Sequence, residues 1–225
     1  MIDLFTQITG EPTLMIATTA GLLFASFSSL FSVANPTAAM PIFLSLTRDY
    51  TRAERNATAW WTSLYMFLLL IIFLFAGAAI LSFFGISLAG IRIAGGLIIM
   101  RAAFSMLNPD KSGRKISEED EVEAMQKDDI SFSPLAMPML SGPGSIAVVI
   151  GFASQVSGIQ DYIIHSISIT LVVIIAYIIL RLAPTLMRWM GTTGMNVMTR
   201  MMGFIALAIS VQFILSGVNL YFQLS

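Results

Sequence analysis

The 225-residue chain is 56% hydrophobic and only 11% charged, with a mean hydropathy of +0.83. Soluble domains carry about 25% charged residues, so a surface this poor in charge must face lipid. A net charge of −1 gives no case for nucleic acid, and the absence of cysteine excludes disulfides, a thiolate nucleophile and sulfur-rich metal sites.

The start, Met1-Ile2-Asp3-Leu4, has no Lys or Arg, and no small-residue cleavage pattern stands out. The first apolar segment therefore reads as a retained helix rather than a secretory signal. Asp3 to Thr19 reads as an interfacial helix or a prolongation of the first span. A span needs about 20 mostly apolar residues. Six candidates follow in chain order: about Ala20–Leu46, Trp60–Phe83, Ile86–Leu107, Ile130–Phe152, Tyr162–Leu182 and Met195–Tyr221. The first contains Asn35-Pro36 and Pro41; the fourth contains Pro134, Pro138 and Gly142-Pro143-Gly144. Between spans three and four lies a polar stretch, Asn108 to Asp129, with the acidic run Glu118-Glu119-Asp120-Glu121-Val122-Glu123. It reads as a solvated cytoplasmic linker. The tail Asn219-Leu220-Tyr221-Phe222-Gln223 resembles a protease-tag remnant and carries no argument.

The basic residues alternate between connections. Arg48, Arg52 and Arg55 lie between spans one and two; Lys111, Arg114, Lys115 and Lys127 between three and four; Arg181 and Arg188 between five and six. The remaining connections and both ends have no Lys or Arg. The positive-inside rule then predicts a multi-pass protein of the plasma or inner cell membrane with both termini outside. Trp60, Trp61 and Trp189 sit beside basic loops, where aromatic belts form.

The two halves resemble each other. Pro36 matches Pro143, Arg92 matches Arg200, and a glycine follows each arginine by three residues, at Gly95 and Gly203. With three spans per half, the second half enters the membrane in the opposite sense. The expected fold is an all-α membrane protein with six spans in a 3+3 inverted repeat, the architecture of many secondary transporters. It is one transmembrane domain over 1–225: half one at about 20–107, a linker at about 108–129, half two at about 130–221.

Spans one and four should be broken. Proline removes a backbone donor and pushes the preceding residue out of the helical region. Asn35-Pro36 should interrupt span one. Gly142-Pro143-Gly144 should interrupt span four more severely, because both glycines admit non-helical dihedrals. Unpaired backbone in hydrocarbon costs several kcal/mol per group, so such breaks survive inside protein or beside a wet cavity. Each break creates a half-helix N-terminus with free N–H groups and partial positive charge. Thr37 and Ser145 add hydroxyls, and the Asn35 amide and upstream carbonyls can meet a cation or an ammonium group. A zwitterionic amino acid presents both charges a few ångströms apart. The candidate substrate site is thus Asn35, Pro36 and Thr37 with Gly142, Pro143, Gly144 and Ser145. The plainer reading is that each proline only kinks its helix; the matched pair favours the site.

At these residues the chain resembles the MarC family of multipass membrane proteins. The segments that carry the likeness are Ala34-Asn35-Pro36, Ala53-Glu54-Arg55-Asn56, Phe84-Gly85-Ile86-Ser87 and Ile91-Arg92-Ile93-Ala94-Gly95-Gly96, then Pro134-Leu135-Ala136-Met137-Pro138, Gly142-Pro143-Gly144 and Thr199-Arg200-Met201-Met202-Gly203. The likeness runs from about residue 20 onward. It implies an inner- or plasma-membrane protein with six spans, and transport of glycine, alanine and similar small neutral amino acids.

Arg92 should lie about 9 Å into span three, and Arg200 at similar depth in span six from the other side. Their functional reading is a substrate carboxylate contact or a switchable ion pair; the plainer one is snorkelling or a fixed structural contact. Gly95, Gly96 and Gly203 read as close-packing positions. His165, the single histidine, reads as an interfacial polar contact rather than a proton relay. With one His and no paired carboxylates within the spans, an intramembrane enzyme is the least favoured class. No ATP-binding loop appears and no cofactor is implied; coupling to Na+ or H+ stays open. The expected partners are the lipid bilayer and a small neutral amino acid, with homo-oligomerisation open. Two other functions share these features: a facilitative channel for small polar solutes, and a non-transporting membrane scaffold.

Overall fold

A computed structural model describes residues 19–108, 130–156 and 158–224. The interfacial segment before Thr19 and nearly all of the acidic linker lie outside the described residues. Within them every regular element is helical. Five helices are long and apolar enough to cross a membrane, and the number is six where the bent pair Ser131–Leu140 and Pro143–Ala153 is one crossing rather than a re-entrant loop.

Helix α1 covers residues 19–34 and α2 covers Pro36–Leu46. Between them Asn35 adopts φ 42°, ψ 65°. The residue before a proline is excluded from the right-handed helical region. Asparagine meets that demand in the left-handed region, which its short polar side chain tolerates better than most residues. Its side-chain oxygen caps α2 by accepting from the Ala38 N–H at 3.2 Å. Pro36 occupies the first turn of α2, where a missing N–H removes no helical bond. Pro41 lies inside α2 without ending it, but supplies no N–H for the Thr37 carbonyl one turn earlier.

Helix α3, Arg52–Phe84, starts in a capping box: Thr51 accepts from the Glu54 N–H, and Glu54 accepts from the Thr51 N–H. It ends at Gly85, whose φ of 65° favours glycine. The N–H groups of Gly85 and Ile86 return to the carbonyls of Ser82 and Leu81. Ser87 then caps α4, Leu88–Leu107, by accepting from the Gly90 N–H at 3.1 Å. The Phe84–Ser87 motif is therefore a complete stop and start signal for a tight turn between antiparallel helices.

Where the fourth span is expected, the chain forms a helix pair bent by 63°. Its first part, Ser131–Leu140, is an irregular helical segment in which Ser133 and Met137, each preceding a proline, are extended. The Ser133-Pro134 and Met137-Pro138 bonds are cis. Wide turns close it, with the Ser141 N–H donating to the Ala136 carbonyl at 2.8 Å. Helix α5 follows as Pro143–Ala153, again proline-led and 11 residues long like α2. The glycines act differently from the expectation. Gly142 is extended at φ −67°, ψ 177°, a conformation open to any residue, and Gly144 is helical. Gly142 is needed because a Cβ there would collide with the Pro138 carbonyl oxygen.

Helix α6, Ile159–Gly191, and α7, Thr193–Phe222, complete the chain. They join through Gly191 at φ 61°, which ends α6 nine residues beyond the expected boundary.

Helices α4 and α7 form an antiparallel seam of small residues. Ala89, Gly96 and Ala103 fall every seventh residue on α4; Gly203, Ser210 and Gly217 do so on α7. A Cβ on Gly217 would lie 2.9 Å from the Ala89 carbonyl, one on Gly96 2.9 Å from that of Ser210, and one on Gly203 3.2 Å from that of Ala103. The seven-residue spacing holds a shared face along both helices, and the absent side chains let the backbones touch. Gly95 faces a different neighbour: its Cβ would collide with Ala147 of α5. The packing reading of Gly95, Gly96 and Gly203 thus acquires its partners. The core lies among Leu30, Phe43, Leu70, Leu135, Val148 and Ile169, while Trp60, Phe75, Trp189 and Phe204 stand exposed toward lipid.

Candidate functional site at the two helix breaks

The two breaks meet in the interior. A Cβ on Gly144, one residue into α5, would lie 3.2 Å from Val33, two residues before Asn35, and 3.3 Å from Ile99 of α4. Helix α4 backs both breaks, since the Asn35 side-chain amide donates to the Met106 sulfur at 3.1 Å. Thr37 donates to the Asn35 side-chain oxygen at 2.7 Å, and Ser145 to the Leu140 carbonyl at 2.9 Å. Asn35, Thr37, Ser141 and Ser145 are all buried, in a core that is mainly apolar.

Most of these groups are internally satisfied. Ser141 is not: its hydroxyl is fully buried with no hydrogen-bond partner among the described residues, directly before Gly142. Such a group costs about 1–3 kcal/mol. Thr62 of α3 is a second buried hydroxyl without a partner. It lies one turn before Tyr65, whose ring meets Phe132 of the irregular segment edge-on at 5.5 Å. Both residues escaped the sequence reading. Ser141 was accessible by adjacency to Gly142; Thr62 carries no local signal, because its burial depends on the facing helices.

The arginines stand apart from this centre. α4 begins at Leu88, so Arg92 lies only about 6 Å into it rather than about 9 Å. Ser87, capping the helix, sets that start. Arg92 donates to the Ser216 hydroxyl of α7 at 2.6 Å. It is seven residues, roughly 10 Å, along α4 from Ile99. Arg200 is exposed on α7, one turn before Gly203. The described structure gives neither arginine a hydrogen bond to the breaks.

His165 makes its polar contact inside the protein. It is buried, stacked on Phe152 at 4.8 Å, with Nδ1 3.0 Å from the Ser26 hydroxyl. The contact joins α1 to α6 beside a cavity of about 210 Å³ that Ser29, Gln155 and Asp161 also line. Among the described residues no three His, Asp or Glu side chains gather to hold a metal ion.

A family model described as MarC family integral membrane protein matches residues 20–222 of this chain. The chain belongs to the MarC family. Its match takes in both breaks, the α3–α4 turn and the α4–α7 seam. Among similar MarC-type proteins, a UPF0056 membrane protein of Methanocaldococcus jannaschii is 37% identical over 194 residues, covering 86% of this chain and 94% of its own. The UPF0056 inner membrane protein MarC of Escherichia coli (strain UTI89 / UPEC) is 36% identical over 199 residues, covering 84% and 90%. A UPF0056 membrane protein of Bacillus subtilis is 37% identical over 194 residues, covering 86% and 92%. No solved structure is significantly similar to this chain. It is a multi-pass membrane protein of this family.

Proposed function

We propose that this MarC-family chain is a secondary transporter moving small neutral amino acids, of the glycine and alanine type, across the plasma or inner cell membrane. The substrate would sit between the two breaks. The observation that carries this reading is the meeting of two proline-led half-helices in the core, with the unpartnered Ser141 hydroxyl beside one of them.

A zwitterion needs donors for its carboxylate and acceptors for its ammonium group. The first-turn N–H groups of α2 and α5 and their partial positive charge serve the carboxylate. The Thr37 carbonyl, which Pro41 leaves without a helical donor, serves the ammonium group. Gly142 and Gly144 supply backbone close to the substrate, and space at Gly144 is bounded within 3.3 Å by Val33 and Ile99. That crowding favours a hydrogen or methyl side chain. Arg92 and Arg200 act in this reading on helix movement rather than on the substrate directly. Access would alternate by rocking of two inverted three-span halves around the breaks.

The test is uptake of radiolabelled glycine and alanine into proteoliposomes under an imposed Na+ or H+ gradient, with Asn35→Ala as control. Accumulation that needs a gradient and is lost in the variant is the expected result. Uptake that only equilibrates would make the protein a facilitative channel. No uptake by folded, inserted protein would leave the scaffold role.

A further inference from the structure

One face of the bundle, formed by α3 and α6 away from the breaks, carries two adjoining cavities. The first, about 330 Å³, is lined by Arg52, Arg55, Asn56, Arg181 and Thr185 among others, with no carboxylate in its wall among the described residues. It lies at the N-terminal end of α3, on the side where the sequence concentrates its arginines. The second, about 250 Å³, is a nearly apolar groove between the same helices, lined by Trp60, Leu64, Phe67, Thr170, Ile174 and Tyr177 among others. The hydroxyls in the groove are turned to their own helices: Ser63 donates to the Ala59 carbonyl and Thr170 to that of Ser166.

The two parts form one surface. On α3, Asn56, Trp60 and Phe67 follow each other along one face; on α6, Thr170, Tyr177 and Arg181 do so in the opposite direction. Trp60 meets Tyr177 edge-on at 5.7 Å. Arg181 donates to the Tyr177 hydroxyl at 3.1 Å, so its guanidinium stands where the groove opens into the basic cavity. From Asn56 to Phe67 the surface runs roughly 16 Å along the helix axis, about one leaflet of a bilayer core. Arg55 is held in place by bonds to the Thr47 and Tyr50 carbonyls through Nη2 and to the Thr47 hydroxyl through Nε.

We propose that this face binds one anionic phospholipid, its phosphate among Arg52, Arg55 and Arg181 and an acyl chain in the Trp60–Tyr177 groove. Guanidinium groups pair with phosphate oxygens in planar, multidentate geometry. Three arginines and, among the described residues, no acidic side chain line the cavity, which favours a lipid of net negative charge over a zwitterionic one. Basic recesses between spanning helices recognise headgroups in this way. The inference does not depend on the transport reading.

The experiment is native mass spectrometry of the detergent-purified full chain with equimolar phosphatidylglycerol and phosphatidylcholine. Phosphatidylglycerol should be retained preferentially, and excess inorganic phosphate should not displace it. Attraction falls on the order of fivefold per arginine removed, so Arg52→Gln with Arg181→Gln should weaken retention by roughly 25-fold. Arg52→Lys with Arg181→Lys should recover part of it, because the charge returns without the planar fork, and also shows that the pair can be replaced without unfolding the chain. Arg55 stays in place because it holds the turn before α3. Thr170→Phe, at an exposed groove position, should weaken the lipid by filling the chain site. Equal retention of the two lipids, or retention indifferent to the glutamine pair, overturns the proposal. Displacement by phosphate with Thr170→Phe without effect replaces the lipid with a free phosphate ion.

Discussion

The Asn35 side-chain amide reaches the Met106 sulfur at 3.1 Å, tying the first helix break to the last turn of α4. The same side chain caps α2 through its oxygen and receives the Thr37 hydroxyl. Asn35 therefore sets the backbone of the break and fixes it against the helix that also backs Gly144. Its two roles separate by mutation. Asn35→Gly keeps the left-handed backbone but takes the acceptor from the buried Thr37 hydroxyl, at about 1–3 kcal/mol, whereas Asn35→Ala adds about 1–2 kcal/mol of strain at φ to that loss. Both should abolish uptake. Thermal unfolding in detergent beside the uptake assay checks this; an active Asn35→Gly variant would remove Asn35 from the site.

Gly144→Ala should fold, because the Val33 and Ile99 side chains need yield only a few tenths of an ångström. It should weaken alanine uptake more than glycine uptake, since the methyl enters the space meant for the substrate. A bulkier residue at Gly144 would disturb packing as well, so alanine is the informative change. Gly142→Ala should destabilise by about 1–3 kcal/mol through the Pro138 carbonyl. Equal loss of both substrates in Gly144→Ala would argue against a steric filter.

Ser141→Ala separates stability from function. Removing an unpartnered buried hydroxyl should leave the substrate-free protein as stable or up to about 1 kcal/mol more so. Affinity for glycine should fall several-fold. Loss of stability with unchanged affinity would assign Ser141 to structure alone.

The α4–α7 seam should be the part of the bundle most sensitive to added side chains. Gly96→Val and Gly217→Val each should cost about 1–3 kcal/mol, because a backbone carbonyl as well as an isoleucine side chain blocks the new atoms. Gly21→Ala, with nothing within 4 Å of its Cβ, should be near neutral and serves as the control. Comparable melting temperatures for all three would show that the seam parts easily.

Ser26→Ala and His165→Phe should be coupled. Each single change leaves a buried polar atom or loses the α1–α6 bond, and the double change removes both partners. A double-mutant cycle on thermal stability should return a coupling of about 1 kcal/mol. A value near zero would show that the Ser26 hydroxyl and His165 do not depend on each other.

Much of the architecture is written locally in the chain. Runs of apolar residues fixed the spans, because the hydrocarbon core demands about 20 of them wherever they occur. Pro36 and Pro143 fixed the breaks, because a proline acts on its own peptide unit and the residue before it. Gly85 and Ser87 fixed the α3–α4 turn for the same reason. Tertiary structure alone decided what each exception faces: that Arg92 bonds Ser216; that His165 is buried against Phe152 and Ser26; and that Ser141 is left without a partner among the described residues. Those outcomes depend on which helix lies opposite, often more than 100 residues away along the chain, and hydropathy in a membrane does not select that neighbour, since lipid is as apolar as any helix face.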